Sequence, residues 1–320
     1  MSNKKDTSLG WVAWFKDRVI SRANDQRPPH RKPASVKQIP AMAEPPADLV
    51  EASAKRECII FAGEGLSRMC GMPLWKSFVQ GLIDRLYDSL ILDPADAETA
   101  RAAYHRGEFD RIVRALAPLA DKHPDILNEY AKALYVKAAA LSRTHEALGN
   151  VGACGVITPN LDSLLSRCFK VQESEALTPS EADQALSSLQ RGEWTSMKLR
   201  GTFTRPETLN VWPDFAIEIN AANEPLLRFL EAALTSRTFI FVGTDFEEIE
   251  CWLGHLKMAS PGRNHYALVT RSKQNSTARA SALLKRYNIH PLAYDPSDDA
   301  AVPAFLDKLR AVNAAASAGA

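Results

Sequence analysis

Four short stretches carry residues whose types and spacing could do chemistry: "AGEGLS" (62–67), "ITPNLD" (157–162), "KLRGTF" (198–203) and "VGTDFEE" (242–248). In the first, Gly63 and Gly65 flank Glu64 just after an apolar run, and Ser67 follows. Glycines in such a turn let the backbone bend tightly and approach a pyrophosphate, whose charge backbone N–H groups complement. A plain strand-to-helix turn needing glycine for positive φ would read the same way. A short glycine motif does not separate the two. Glu64 stands where an anion would least want it, unless it turns outward or pairs with a base such as Arg200. The second stretch sets Thr158, Asn160 and Asp162 close together. An acid in the position of Asp162 more often caps a helix than does chemistry. Arg200 in the third stretch is permanently charged and cannot accept a proton.

The elements that must position these residues alternate along the chain. Buried-strand runs are read at "ECIIFAG" (57–63), "ACGVITP" (153–159), "TFIFVG" (238–243), "HYALVT" (265–270) and "IHPLAY" (289–294), with short strands at 196–201 and 208–212. Helices are read over 74–90, 161–169, 213–236 and 302–313, and the Ala-rich stretch 95–149 reads as a helical insertion. Strands separated by helices predict an α/β fold: a doubly wound, mostly parallel sheet with helices on both faces. In such sheets ligands bind beyond the carboxyl ends of the strands, where all four stretches fall.

Bulk properties narrow the class. Apolar content of 46% and charged content of 24% are ordinary for a soluble globular protein. The five cysteines are scattered with no C-x-x-C pair, which argues against zinc or a disulfide framework and for a reducing cytoplasm. No apolar run is long enough to span a membrane. Residues 1–37 carry nine Lys/Arg and three Asp/Glu, so +6, and the rest must sum to −5 for the total of +1. A mildly acidic body argues against nucleic acid as the partner. Residues 1–23 read as a basic amphipathic helix, for packing on the body, another subunit, a partner protein or a membrane surface. Six prolines mark 24–48 as a linker. The body is expected over 49–314, with the insertion at about 95–149, and a disordered tail over 315–320.

Taken together, the four strand-end segments resemble the sirtuin-like domain family, especially its prokaryotic NAD-consuming branch. Gly63, Gly65, Ser67, Gly71, Pro73 and Trp75 match G-A-G-x-S followed by G-x-P-x-W. Thr158, Asn160 and Asp162 match T-T-N-Y-D; Lys198, Leu199 and Gly201 match K-L-H-G; Gly243 and Thr244 match the late glycine motif. His145 and the ending "LLKRYNIHPLAYD" are similar too, so the resemblance spans roughly residues 50–312. It implies a Rossmann-like domain that binds NAD or a related nucleotide at Gly63, Glu64, Gly65, Ser67, Thr158, Asn160, Gly243, Thr244 and Asp245. It also implies breakage of the nicotinamide–ribose bond, with the asparagine at 160 positioning ribose and water.

The histidine that serves this family as general base is replaced by Arg200, Glu64 replaces a small residue, and Asp245 replaces a serine near the adenosine ribose. A carboxylate at 245 can still accept ribose hydroxyls. Asp162 is the nearest substitute base. Two readings follow from the resemblance. One is a nucleotide-binding domain with impaired or absent catalysis, a pseudoenzyme or scaffold subunit. The other is an active NAD glycohydrolase of anti-phage defence. Assembly into an oligomer is a further implication, and no metal is implied.

Overall fold

In the computed structural model the chain is described over residues 38–136, 139–210, 223–254, 256, 262–272 and 275–318. The expected N-terminal helix 1–23, residues 24–37 of the expected linker and residues 319–320 lie outside them.

Most of the strands form where the sequence concentrates β-branched and aromatic residues. The strands are β1 (Cys58–Ala62), β2 (Ala153–Thr158), β3 (Thr195–Lys198), β4 (Thr238–Val242), β5 (His265–Thr270) and β6 (Ile289–Tyr294). All pair in parallel, in the order β3-β2-β1-β4-β5-β6. β1 and β4 are buried along their whole length, as a sheet covered on both faces requires. Alternate side chains enter opposite layers. Ile59, Phe61, Phe239 and Phe241 point into one core, and Cys58, Ile60, Ala62, Ile240 and Val242 into the other.

The first layer is made by α9 (Ala182–Arg191), α10 (Glu224–Ser236), α11 (Phe246–Leu253) and α12 (Thr277–Tyr287). The second holds α1 (Ala47–Ala54), α7 (Arg143–Leu148), α8 (Leu164–Phe169) and α13 (Ala301–Ala318). Between β1 and β2 lie the short α2 (Glu64–Arg68), then α3 (Trp75–Asp88), α4 (Pro94–His105), α5 (Phe109–Lys122) and α6 (Pro124–Tyr135). α3 to α6 share a third core around Phe78, Leu82, Ile112 and Tyr135. Capping chemistry sets several starts: Asp93 accepts from Asp96 N ahead of Pro94, and Asn223 accepts from Leu226 N ahead of Pro225.

The structure departs from the sequence reading in four places. The body begins before residue 49: Ala41 bridges Ala293 on β6, with Met42 N donating to Ala293 O at 2.8 Å, and α1 starts at Ala47. Prolines there keep the chain extended, which suits an edge strap as well as a linker. Of the short strand read at 208–212, residue 208 ends a 3₁₀ turn, Pro206–Thr208, 209 and 210 are not strand, and 211–212 lie outside the described residues. Gly201, at φ +79°, turns the chain away, and Asn210 N donates back to Arg200 O at 2.9 Å. The helix read from 161 starts at Leu164, whose N–H is taken by Asp162 Oδ1 at 2.9 Å. The helix read over 213–236 is no departure: it is present over Glu224–Ser236, and 211–222 lie outside the described residues. The last helix runs on to Ala318, through alanines that favour it.

Candidate active site

With this strand order the connections leave in opposite directions on either side of β1 and β4, opening a crevice beyond their carboxyl ends. The two turns that line it are bonded to each other. Gly63 N donates to Val242 O and Gly65 N donates to Gly243 O, each at 2.9 Å. A Cβ on Gly65 would lie 2.7 Å from Gly243 O. Gly63 has φ −93°, and Gly65 is not among the positive-φ glycines either. Close backbone approach, rather than left-handed conformation, therefore demands these two glycines, whereas Gly243 does sit at φ +69°.

Asn160 is the best-positioned polar side chain of the crevice. Its Nδ2 donates to Gly63 O at 2.9 Å and to Ser67 Oγ at 2.8 Å. Its backbone N donates to Thr158 Oγ1 at 3.0 Å, and that hydroxyl donates to Ala62 O at 2.7 Å. Ser67 Oγ in turn donates to Asp162 Oδ2 at 2.5 Å. Because the serine proton goes to the aspartate, its oxygen must accept from the amide, which fixes the carboxamide's orientation. Asn160 Oδ1 is left buried with no hydrogen-bond partner. Buried polar atoms are ordinarily satisfied, so this oxygen is left available to a water or a ligand hydroxyl. Thr244 Oγ1 and Arg200 Nε, from two of the other strand-end motifs, are buried and unpartnered as well.

The sequence-designated residues divide by role. Asp162 spends Oδ1 on Leu164 N and Oδ2 on Ser67 Oγ, so it orients Asn160 through the serine. Lys198 is a buried strut: its Nζ donates to Leu161 O at 3.0 Å and Asp162 O at 2.7 Å and pairs with Glu173. Asp245 Oδ1 accepts from Glu248 N at 2.8 Å and caps α11. Glu64 does turn outward: its Oε2 accepts Trp75 N at 3.0 Å at the start of α3. No ion pair joins it to Arg200, so the pairing expected as one option for Glu64 is not formed.

His145 is fully buried, its Nδ1 beside Ser142 Oγ at 2.8 Å, and burial pulls it down to about 4. It is therefore neutral at pH 7, with the nearby Asp162 opposing that shift only in part. Sequence reasoning missed two residues. Tyr135, at the end of α6, brings the helical layer within electrostatic reach of Arg200, Glu64 and Asp162; burial pushes its hydroxyl well up. Glu248 lies against the Gly63 turn. Its one sequence signal is the Asp245-x-x-Glu248 spacing, which reads as a capping box. Among the described residues no group of three or more His, Cys, Asp or Glu could hold a metal ion. No described helix is long and apolar enough to cross a membrane.

Residues 155–292 match the family of SIR2-like domains. The chain is 26% identical over 266 residues to the NAD(+) hydrolase ThsA of Cytobacillus dafuensis, covering 75% of this chain and 50% of that protein. A second NAD(+) hydrolase ThsA, from Bacillus cereus (strain MSX-D12), is 20% identical over 238 residues, covering 71% and 46%. The chain spans about half the length of the curated relatives it matches. The stretch that matches SIR2-like domains holds β3, β4 and β5 whole and most of β2 and β6, while β1 and its glycine turn lie outside it.

Proposed function

We propose that the crevice binds NAD, or the ADP-ribose portion of it, and that nicotinamide release there is impaired. The observation that carries this is Asn160, clamped by Gly63 O and Ser67 Oγ while its buried Oδ1 has no partner. An oriented carbonyl oxygen at a doubly wound switch point suits a ribose hydroxyl or a water beside it. Gly63, Gly65, Gly243 and Thr244 surround the diphosphate end in this reading, and Arg200 supplies a cation for it.

Hydrolysis breaks the bond between the nicotinamide nitrogen and ribose C1′, joins water oxygen to C1′, and sends one water proton away. The positive charge that develops on the ribose calls for an oriented water and a proton acceptor. Asn160 serves the first need. Arg200 cannot serve the second, and both Asp162 oxygens are already engaged. Losing a general base removes about 100- to 10,000-fold, or roughly 3 to 5 kcal/mol of barrier.

A second reading, an unimpaired NAD glycohydrolase, is favoured by the activity in the relatives' name. One experiment separates them: NAD binding, with nicotinamide and ADP-ribose release, for the wild type, Asn160→Ala and Arg200→His. The impaired reading expects binding with slow release, lost in Asn160→Ala and raised about 100-fold or more by Arg200→His. Fast release that Arg200→His diminishes would favour the second reading. A wild-type protein that binds neither NAD nor ADP-ribose would sink both.

A further inference from the structure

Glu248 has no part in the reaction as described so far. It follows the Asp245 cap by three residues on the first turn of α11, a place where acids are commonplace. Its side chain, however, reaches across to the β1 turn. A Cβ built on Gly63 would fall 2.4 Å from Glu248 Oε2 and 2.6 Å from Thr244 Cγ2. The carboxyl thus fills the face of Gly63 that a side chain would otherwise take, on the same side as the Thr244 methyl group.

The charged groups around it come from three elements. Glu64 on α2 and Asp245 at the head of α11 repel a negative charge there, and Arg200 beyond β3 attracts one. Burial is the largest influence and the repulsion from Glu64 the next. Together they outweigh Arg200 and a small contribution from the Glu64 backbone N–H, and Glu248 is pushed up to about 8. A carboxyl that changes charge around neutrality is thus lodged on the turn where the diphosphate of the proposed ligand belongs.

We propose that Glu248 is the proton-linked gate of the diphosphate position: as a neutral acid it admits the diphosphate against the Gly63 turn and donates its O–H to a phosphate oxygen, and as a carboxylate it repels it. This deepens the nucleotide reading above and rests on it. The ligand class it selects is a dianionic diphosphate diester, whose own charge does not change across the weakly alkaline range. Binding above neutrality then takes up a proton, and the proton goes to Glu248.

The test is calorimetric titration of the whole chain with ADP-ribose from pH 7 to 9, in two buffers of different ionisation enthalpy. The wild-type Kd is expected to rise about tenfold between pH 7 and 9, with close to one proton taken up at pH 9. Glu248→Gln should bind at pH 9 as the wild type binds at pH 7, with no proton uptake. A wild-type Kd that is flat with pH, or a Glu248→Gln protein that keeps the slope, overturns the gate and leaves the nucleotide reading intact. Absence of ADP-ribose binding by either protein at every pH overturns both. Thermal melting checks that the variant folds; where it does not, the wild-type proton uptake decides, and no uptake at pH 9 overturns the gate.

Discussion

Ser67 is a small residue with two obligations. It hands its proton to Asp162 and receives one from Asn160, so the asparagine's aim depends on a hydroxyl that need never touch a ligand. Ser67→Ala strands a buried carboxylate oxygen and half of a buried amide, at a cost of about 1–3 kcal/mol. The expected result is a lower melting temperature and nicotinamide release that falls further than NAD affinity does. An unchanged ratio of the two would mean that Asn160 is held by Gly63 O alone. Asn160, Ser67 and Asp162 are singled out through the resemblance of their motifs to the sirtuin-like family, and the structure joins the three by hydrogen bonds. Glu248 is not, because its partner is brought by another strand and its spacing has an everyday explanation in capping. Lys198 misleads in the other direction. A lysine in a motif suggests ligand contact, yet its ammonium props up the Leu161–Asp162 backbone from below.

At the scale of elements the central strands are the most legible and the least replaceable. Phe241 on β4 is fully buried and lies 5.2 Å, centroid to centroid, from Phe61 on β1, so one aromatic pair spans the seam on which the crevice rests. Phe241→Ala should lower unfolding stability by about 3–5 kcal/mol, read as a drop in the urea midpoint at unchanged slope. A loss below 1 kcal/mol would mean that the seam collapses around the gap. β1, β4 and β5 were readable because strands buried on both faces become continuous apolar runs. The edges were not. Pro40–Met42 looks like linker since prolines exclude both helix and central strand, but it pairs along β6 where only one side needs bonding. The stretch read as a strand from 208 has its Asn210 N bonded back to Arg200 O instead of to a neighbouring strand. Propensity cannot see which backbone groups are already spoken for.

The whole molecule answers to pH through groups that lie far apart. His265 is fully buried, its Nδ1 accepts Phe239 N at 3.1 Å, and burial holds it at about 3; His145 is held at about 4. Both lie below the ordinary value near 6.5, so the folded state excludes protons that the unfolded chain takes up. Their contribution is intact above pH 6.5 and is lost as pH falls towards 4, roughly 2 kcal/mol for each at pH 5. Glu248 runs the other way. Raised above its unfolded value, it costs stability at high pH and returns it as pH falls from about 8 towards 4.5, offsetting more than half of the histidine loss. Urea midpoints at pH 7 and pH 5 should therefore differ modestly in the wild type and much more in Glu248→Gln. Equal shifts in the two proteins would show that the acid and the histidines are not balanced in this way.

The register of β1 has a consequence for how the molecule comes into being. Cys58 pairs with Ala153 on one side and Thr238 on the other, so the centre of the sheet is assembled from segments far apart along the chain. Non-local pairings of this kind close late and slowly. A growing chain can finish the α3–α6 layer while β1 still has an open edge, with the glycine turn made and the Gly243 carbonyl that floors it not yet synthesised. Until Val242 and Gly243 leave the ribosome the Gly63 turn lacks the two carbonyls that hold it, so no shorter product of translation can complete the crevice.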